Sequence, residues 1–300
     1  MDICMSYKKK KRLLIILNPT AGGGRANRKF SHIVDKLKRS DLTITVIETE
    51  YAGHGRLIAE QNVGNNYDMV VAAGGDGTLN EVLNGIYPHQ IPFGIIPLGT
   101  VNVLAKEINL KCNADDIADC LIESHTVPIW IGVSNDQYFF LMVSAGLDSL
   151  SVAHVSSRLK KLIGKSAYAL SFLWQVLKSK NVSYEVNENG KTHTASNVIV
   201  SNGRLYGGQY ICAPEARLDE KCLYLLMATR TGRFNSIKYA YLMLTQQYPY
   251  CNSVISMPIT KAIIRCNDAN MPIQIDGDYG GNLPVEIGIS EKSVNLVQPL

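Results

Sequence analysis

The sequence predicts an N-terminal α/β domain with a parallel sheet, followed by a C-terminal, mostly antiparallel β domain. Two observations carry this. In the first half, short apolar runs alternate with helical patterns, and a glycine turn follows three of the runs. From residues 126–128 onward, short strand-like segments crowd together between turn residues, as antiparallel sheets require. The composition shift sets the domains at 1–127 and 128–300.

Taken in order, residues 13–17 are wholly apolar and stop at Asn18-Pro19, the mark of a short buried strand. Phe30, Ile33, Val34 and Leu37 share one helical face. Residues 42–47 alternate as a strand, 57–61 fit a helix, and 69–73 form another apolar strand. Leu79, Val82, Leu83 and Ile86 return to helical spacing; 93–96 give a fourth strand and 101–108 a short helix. Such a rotation of strand, turn and helix builds a layered α/β domain, whose ligands bind at the carboxyl ends of the strands. In the second half, strands are expected over 129–133, 137–143, 183–186, 197–201, 222–229, 261–266, 273–276, 285–289 and 294–297. One long helix is expected over 156–178, with an apolar stripe through Leu159, Leu162, Leu170 and Leu173 and a basic end at Arg158, Lys160, Lys161 and Lys165. That stripe reads first as core packing and second as a membrane-docking face.

Composition excludes several classes. Of 300 residues, 46% are hydrophobic and 19% charged, enough for a globular core. The net charge is +4, and five basic residues fall in 8–12, so the rest is near neutral and no nucleic-acid surface is expected. The 8–12 run reads as a solvated tail, or else as a patch for anionic lipid. No apolar run approaches the ~20 residues of a membrane span, and the N-terminus lacks a secretory pattern. A cytoplasmic protein is expected, with membrane contact peripheral at most. The seven cysteines (4, 112, 120, 212, 222, 251, 266) form no CxxC pair, which argues for reduced thiols without zinc or disulfides.

Three turns carry the chemistry: Asn18-Pro19-Thr20-Ala21-Gly22-Gly23-Gly24, Gly74-Gly75-Asp76-Gly77-Thr78, and Pro97-Leu98-Gly99-Thr100. Each follows an apolar strand and opens a helix. Without a Cβ, glycine lets phosphate oxygens reach backbone N–H groups, and the helix N-terminus adds partial positive charge. Three such turns in one sheet predict a polyphosphate ligand. Asp76 would repel it unless a cation such as Mg²⁺ bridges the two. Thr78-Leu79-Asn80-Glu81 fits a T-x-x-E capping box and predicts a helix starting there. The plainer reading of Gly74–Gly77 is a tight turn with a polar tip. Neither GxxxxGK[ST] nor GxGxxG in a dinucleotide context is present, and the protein-kinase motifs are missing.

The ordered set of motifs resembles the diacylglycerol-kinase catalytic family of soluble bacterial lipid kinases, related to sphingosine kinases and more distantly to NAD kinases. It runs nearly end to end: Asn18-Pro19-x-Ala21-Gly22, Thr49 with Ala52-Gly53-His54, Gly74 to Glu81, Pro97-Leu98-Gly99-Thr100-x-Asn102, Ser201-Asn202-Gly203, Gly207-Gly208, Ala213-Pro214-x-Ala216 and Asp276-Gly277-Asp278. The resemblance implies ATP and Mg²⁺, with ATP in an interdomain cleft against Asn18, Pro19, Thr20, Ala21, Gly22, Thr49, Gly74, Gly75, Asp76, Gly77, Thr78, Leu79, Asn80 and Thr100. It implies a β-sandwich second domain facing the lipid, and a last segment, about 288–300, returning to the first domain. It makes Asp278 the expected proton acceptor, where the family usually has Glu, with Asp276 in reserve and Asp76 on the metal. The activity implied is phosphorylation of a lipid hydroxyl at a membrane surface, most naturally diacylglycerol to phosphatidic acid, by a protein that visits the membrane transiently and could work as a homodimer. The alternatives are a kinase of a sphingoid base or NAD, and a lipid- or nucleotide-binding protein without catalysis.

Two departures stand out. Val103 occupies the place of an Asp in the family's Gly-Thr-x-Asn-Asp pattern. Where the family has Asp-Gly holding a structural Mg²⁺, this chain has Glu220-Lys221. Glu220 could still bind the ion with the carbonyls of Arg217 and Cys222, but Lys221 brings a competing charge. Ser201-Asn202 is expected to shape the site rather than to supply a nucleophile.

Overall fold

The structure, a computed structural model, describes residues 10–154, 182–268 and 270–300. The helix expected over 156–178 lies outside the described residues. Two compact units result: one runs to Pro128 and takes up Val294–Leu300, and the other is Ile129–Ser293.

The N-terminal elements are β1 (Lys11–Leu17), α1 (Gly23–Arg39), β2 (Leu42–Glu48), α2 (His54–Asn62), β3 (Met69–Gly74), α3 (Asp76–Ile86), β4 (Phe93–Pro97), α4 (Val103–Glu107), α5 (Ala114–Glu123) and β5 (Thr126–Ile129). Their sheet runs β2-β1-β3-β4, then the chain's last strand, then β5. The β1–β2, β1–β3 and β3–β4 pairs are parallel. Apolar runs become these strands because a parallel sheet covered on both faces leaves nothing exposed; every residue of β3 and β4 is buried. The chain steps from β1 outward to β2, then back across β1 to β3. With right-handed crossovers, that reversal puts α1 on one face and α2 and α3 on the other. Accordingly α1 packs against α5, and α2 against α3. Ile33, Val34 and Leu37 form the buried face of α1, as their spacing predicts.

The second unit contains β6 (Gly132–Ser134), β7 (Gln137–Phe139), β8 (Met142–Ala145), α6 (Leu147–His154), β9 (Tyr184–Glu188), β10 (Lys191–Ala195), β11 (Asn197–Ser201), β12 (Leu205–Tyr206), β13 (Tyr210–Ile211), β14 (Leu223–Ala228), α7 (Arg233–Leu244), β15 (Val254–Ile259), β16 (Lys261–Cys266), β17 (Pro272–Ile275), β18 (Asp278–Asn282) and β19 (Val285–Ile289); β20 (Val294–Val297) then joins the first sheet beside β4. Two antiparallel sheets, β10-β9-β16-β19-β6-β7 and β15-β14-β11-β8-β17-β18, form a sandwich. Its core takes every second residue of each strand: Val198 and Val200, Leu223, Leu225 and Met227, Ala262 and Ile264, Val285 and Ile287. The expected fold class is the one observed.

The differences are local. The runs expected at 129–133 and 137–143 are each broken in two, with gaps at 130–131 and 140–141. The helices α5 and α7 and the strands β10 and β15 were not anticipated. The six described cysteines are all free. Lys11 and Arg12 of the basic run belong to β1, and the Arg12 guanidinium lies 5.1 Å from the centre of the Tyr67 ring. Among the described residues, no helix is long and apolar enough to cross a membrane.

Gly85 shows how tightly α2 and α3 meet. A Cβ there would stand 2.4 Å from the Arg56 carbonyl oxygen and 2.6 Å from the Ala59 Cβ. Alanine gains about 1 kcal/mol of helix propensity over glycine, but overpacking against backbone costs about 1–3 kcal/mol. Gly85→Ala should therefore lower the urea midpoint at unchanged slope; a raised midpoint would show that the two helices part easily.

Candidate active site

The strand order reverses at β1, so the crevice beyond the carboxyl ends of β1 and β3 is the switch point where doubly wound sheets bind ligands. Asn18 ends β1 and Gly74 ends β3, so two of the three glycine turns meet there.

Each turn is tied to the other two. Asn18 Nδ2 donates to Thr78 Oγ1 (3.1 Å), and its Oδ1 accepts from the Thr20 N–H (3.0 Å) and hydroxyl (2.8 Å). Gly22 is left-handed (φ 65°), and a Cβ on it would lie 2.1 Å from the Leu98 carbonyl oxygen. A Cβ on Gly99 would lie 2.7 Å from Gly75 Cα. A Cβ on Gly74 would strike the Thr78 side chain at 2.5 Å. Glycine is demanded at these places by contact, not by turn preference alone.

Asp76 supplies the remaining tie. It is the first residue of α3, and its carboxylate accepts N–H groups from Val103 (3.1 Å) and Leu104 (3.3 Å), the start of α4. Burial raises its pKa above the ordinary aspartate value, while those N–H groups pull it back. The charge that the sequence left needing a cation thus already has a helix N-terminus beside it. Asn102 is left-handed (φ 51°), donates from Nδ2 to the Gly99 carbonyl (2.8 Å), and keeps a buried Oδ1 without a hydrogen-bond partner. Val103 contributes through its N–H, which any residue but proline possesses.

The remaining nucleotide-side expectations divide. Thr20 and Thr100 are exposed, and Pro19, Ala21, Gly75 and Gly77 are half-buried at the turns. Thr49 is half-buried, and its N–H extends the sheet to the Leu17 carbonyl (2.8 Å). Leu79 and Asn80 point away: Leu79 is in the core with its N–H on the Gly75 carbonyl, and Asn80 Oδ1 accepts from Asn84 (2.6 Å). The capping-box expectation is corrected. The helix begins at Asp76 with Gly75 as its cap, and Glu81 instead accepts the N–H groups of Gly53 (2.7 Å) and Gly55 (3.0 Å), at the start of α2. Lys29 was not anticipated; its ammonium donates to the Pro97 carbonyl (2.8 Å) at the end of β4, and burial lowers its pKa.

In the second unit, Asp276 and Gly277 form the two-residue loop of the β17–β18 hairpin, both at positive φ (48° and 89°), as a type I′ turn needs. The Asp276 carboxylate accepts three N–H groups, from Phe140 (2.8 Å), Leu141 (2.9 Å) and Met142 (2.9 Å). This is why the strand expected at 137–143 breaks. Asn202 clamps the same segment from its carbonyl side, donating to the Phe140 (2.8 Å) and Trp130 (2.9 Å) carbonyls. Ser201 donates to the Gly203 carbonyl (2.7 Å), so the Ser-Asn-Gly motif is a brace. Gln274 Oε1 accepts the Gly277 N–H (2.7 Å) and its Nε2 donates to Ser144 Oγ (2.9 Å); Ser144 and Tyr206 both donate to Asp148. Burial raises the Asp148 pKa, and its Oδ1 lacks a hydrogen-bond partner. Asp278 opens β18 as an exposed residue directly after this held turn.

The diacylglycerol kinase catalytic domain model matches residues 12–133, and the YegS C-terminal NAD kinase beta sandwich-like domain model matches 141–298. The chain belongs to the diacylglycerol kinase family. Its curated relatives include diacylglycerol kinases of Staphylococcus carnosus, 26% identical over 97% of this chain and 96% of that one, and of Staphylococcus aureus, 27% identical over 97% and 93%. A solved diacylglycerol kinase structure from Bacillus anthracis has the same fold, with a TM-score of 0.78 at 22% identity over 97% of this chain and 98% of that one. As a member of this family the chain is an enzyme of the lipid-kinase type.

The family's structural-metal position does not fit a metal here. The Arg217 guanidinium holds Asp219 with two hydrogen bonds (3.0 and 2.9 Å) and stands 3.4 Å from Glu220, while the Lys221 ammonium lies 4.5 Å over the Trp130 ring. The Arg217 carbonyl accepts the Glu220 N–H (3.2 Å). A divalent ion would enter between two resident side-chain cations. Of the residues expected there, Arg217 and Glu220 join Asp219 in a salt-bridged turn, the Cys222 N–H meets the Glu220 carbonyl (2.8 Å), and Arg217 holds the Asp219 carboxyl below its usual range.

Asp276→Asn keeps a residue that tolerates positive φ but turns one acceptor into a donor facing an N–H. An orphaned buried N–H costs about 1–3 kcal/mol, so the variant should unfold at lower urea by that amount. A stability equal to the parent's would mean that the three N–H groups find other partners.

Proposed function

We propose that the chain transfers the γ-phosphoryl group of ATP to the hydroxyl of diacylglycerol, giving phosphatidic acid. The supporting observation is the set of three interlocked glycine turns at the switch point, with one carboxylate, Asp76, among them. The first N–H groups of a helix have no partner within it, so the start of α3 offers donors and positive potential to phosphate oxygens. Asn18, Thr20, Gly22, Thr78 and Thr100 edge those donors. A Mg²⁺ ion arriving with the nucleotide needs only one or two carboxylates besides phosphate oxygens. Asp76 fits that need, since its two N–H partners occupy only part of a carboxylate's lone pairs; the ion's chemistry there is neutralisation of phosphate charge.

Phosphoryl transfer asks the protein mainly for alignment and charge stabilisation. Asp278 is assigned the acceptance of the lipid hydroxyl proton, with Asp276 and Gln274 fixing the turn that carries it. The protein acts from the cytoplasm and reaches its acceptor by transient association with a membrane.

Incubation with radiolabelled ATP and diacylglycerol micelles, a sphingoid base or NAD should label phosphatidic acid; label in NAD alone, or none at all with ATP bound, would overturn the reading. Asp278→Asn should lower kcat by about 10²–10⁴, the range of general-base catalysis, and leave the KM for ATP within about twofold. A parallel loss of ATP affinity would remove Asp278 from the proton-accepting role. Because ionised Asp76 is the form that receives the ion and burial raises its pKa in the metal-free protein, kcat/KM for ATP, which reports the free enzyme, should fall with decreasing pH at a higher pH than an ordinary aspartate dictates. An acid limb at or below the ordinary aspartate value of 3.8 would separate Asp76 from the rate.

A further inference from the structure

We infer that the outward face of α7, with the basin beside it, is a docking surface for an anionic lipid bilayer. This rests on the lipid-kinase reading only for its purpose, not for its geometry.

The helix α7 is turned the wrong way for a surface helix. Its only fully buried side chain is Tyr239, whose hydroxyl bonds Ser253 Oγ (3.0 Å) and accepts the Arg230 N–H (3.2 Å). The opposite face carries Phe234 (89% exposed), Ile237 (51%), Tyr241 (64%) and Leu244 (60%). Their spacing of three, four and three residues places them in one row along the helix. A soluble surface helix puts its apolar stripe inward and charges outward. Tyr250, 66% exposed, extends the row from the turn that follows. Isolated exposed apolar residues need no explanation, but a row of them does.

The segment that carries the row has charges of one sign. From Lys221 to Asn267 the chain contains no Asp or Glu; Arg233 and Lys238 lie on α7 itself and Arg230 just before it, while Lys261 is paired with Glu286 in the other sheet and takes no part. Arg230 and Lys238 line an open basin of about 380 Å³ together with Tyr250, Cys251, Asn252 and Ser253. Aromatic and aliphatic side chains at the headgroup boundary with Lys and Arg at their flank are what an interfacial helix presents to an anionic membrane. A second copy of the chain fits less well, because a two-fold contact through this face would oppose the same cations to each other.

The test is co-sedimentation of the full chain with vesicles of phosphatidylcholine alone or with about one-third phosphatidylglycerol. Binding should require the anionic lipid and weaken with salt. Arg230→Ser with Lys238→Ser should lower partitioning by roughly tenfold or more at low salt, at about fivefold per surface cation. Phe234→Ser with Tyr241→Ser should lower it at high and low salt alike. Activity on a short-chain diacylglycerol in monomeric solution should stay unchanged in both. If both variants bind vesicles like the parent, the inference fails. It also fails if the Phe234/Tyr241 variant turns a dimer into a monomer in light scattering, since the face then belongs to a second copy. Vesicle binding through α7 without phosphorylation of any lipid would defeat the kinase reading and leave the docking surface standing.

Discussion

The hydrogen bonds from Val103 and Leu104 to Asp76 hold the first unit's candidate site together. They fix the start of α4 against the start of α3, which brings Gly99 against Gly75 and Leu98 against Gly22. A buried carboxylate without partners would be driven to its neutral form. Here two N–H groups and the end of a helix partly offset the desolvation beside a phosphate-ready turn. The glycines follow from this. Once the turns are drawn within contact distance, a Cβ at positions 22, 74 or 99 has nowhere to go.

The second unit uses the same device. Asp276 gathers three N–H groups of a segment that leaves its sheet, as Glu81 in the first unit gathers two at the start of α2. Irregular backbone next to a site must satisfy its polar groups somewhere. A carboxylate does this with several strong bonds from one side chain. The arrangement also explains why Val103 is tolerated where relatives of the resemblance carry Asp: the contribution made here is main-chain. It leaves Asn102 Oδ1 as a buried polar atom without a hydrogen-bond partner beside the turns.

Much of the fold was legible because buried strands announce themselves by composition. The strands Asn197–Ser201, Lys261–Cys266, Val285–Ile289 and Val294–Val297 have the bounds that their apolar runs suggest. The break at 140–141 was not legible, since its cause, Asp276, lies about 135 residues away in the chain. The capping box misled because T-x-x-E is a local pattern, whereas Glu81 answered to the distant backbone of Gly53 and Gly55. The helix α7 was missed for the opposite reason: its exposed face is apolar, so no amphipathic contrast marks it. Gln274 stood inside the strand expected over 273–276, but its role depends on Ser144 across the sheet, which no spacing reveals.

The Asp276-Gly277-Asp278 motif shows how two identical side chains acquire different fates. At positive φ in a two-residue hairpin loop, Asp276 is one of the few residues the turn accepts. Its carboxylate lies against three N–H donors, and protonating it would turn one of those acceptors into a donor facing another donor. A proton acceptor in a catalytic cycle must take up and release a proton at every turnover. Asp276 can do so only by breaking the contacts that hold its own turn, whereas Asp278 stands two residues on, exposed at the start of an extended strand. The shorter side chain at 278 has less reach than the glutamate it replaces, so its position depends more on the backbone. That backbone is what Asp276 and Gln274 hold still.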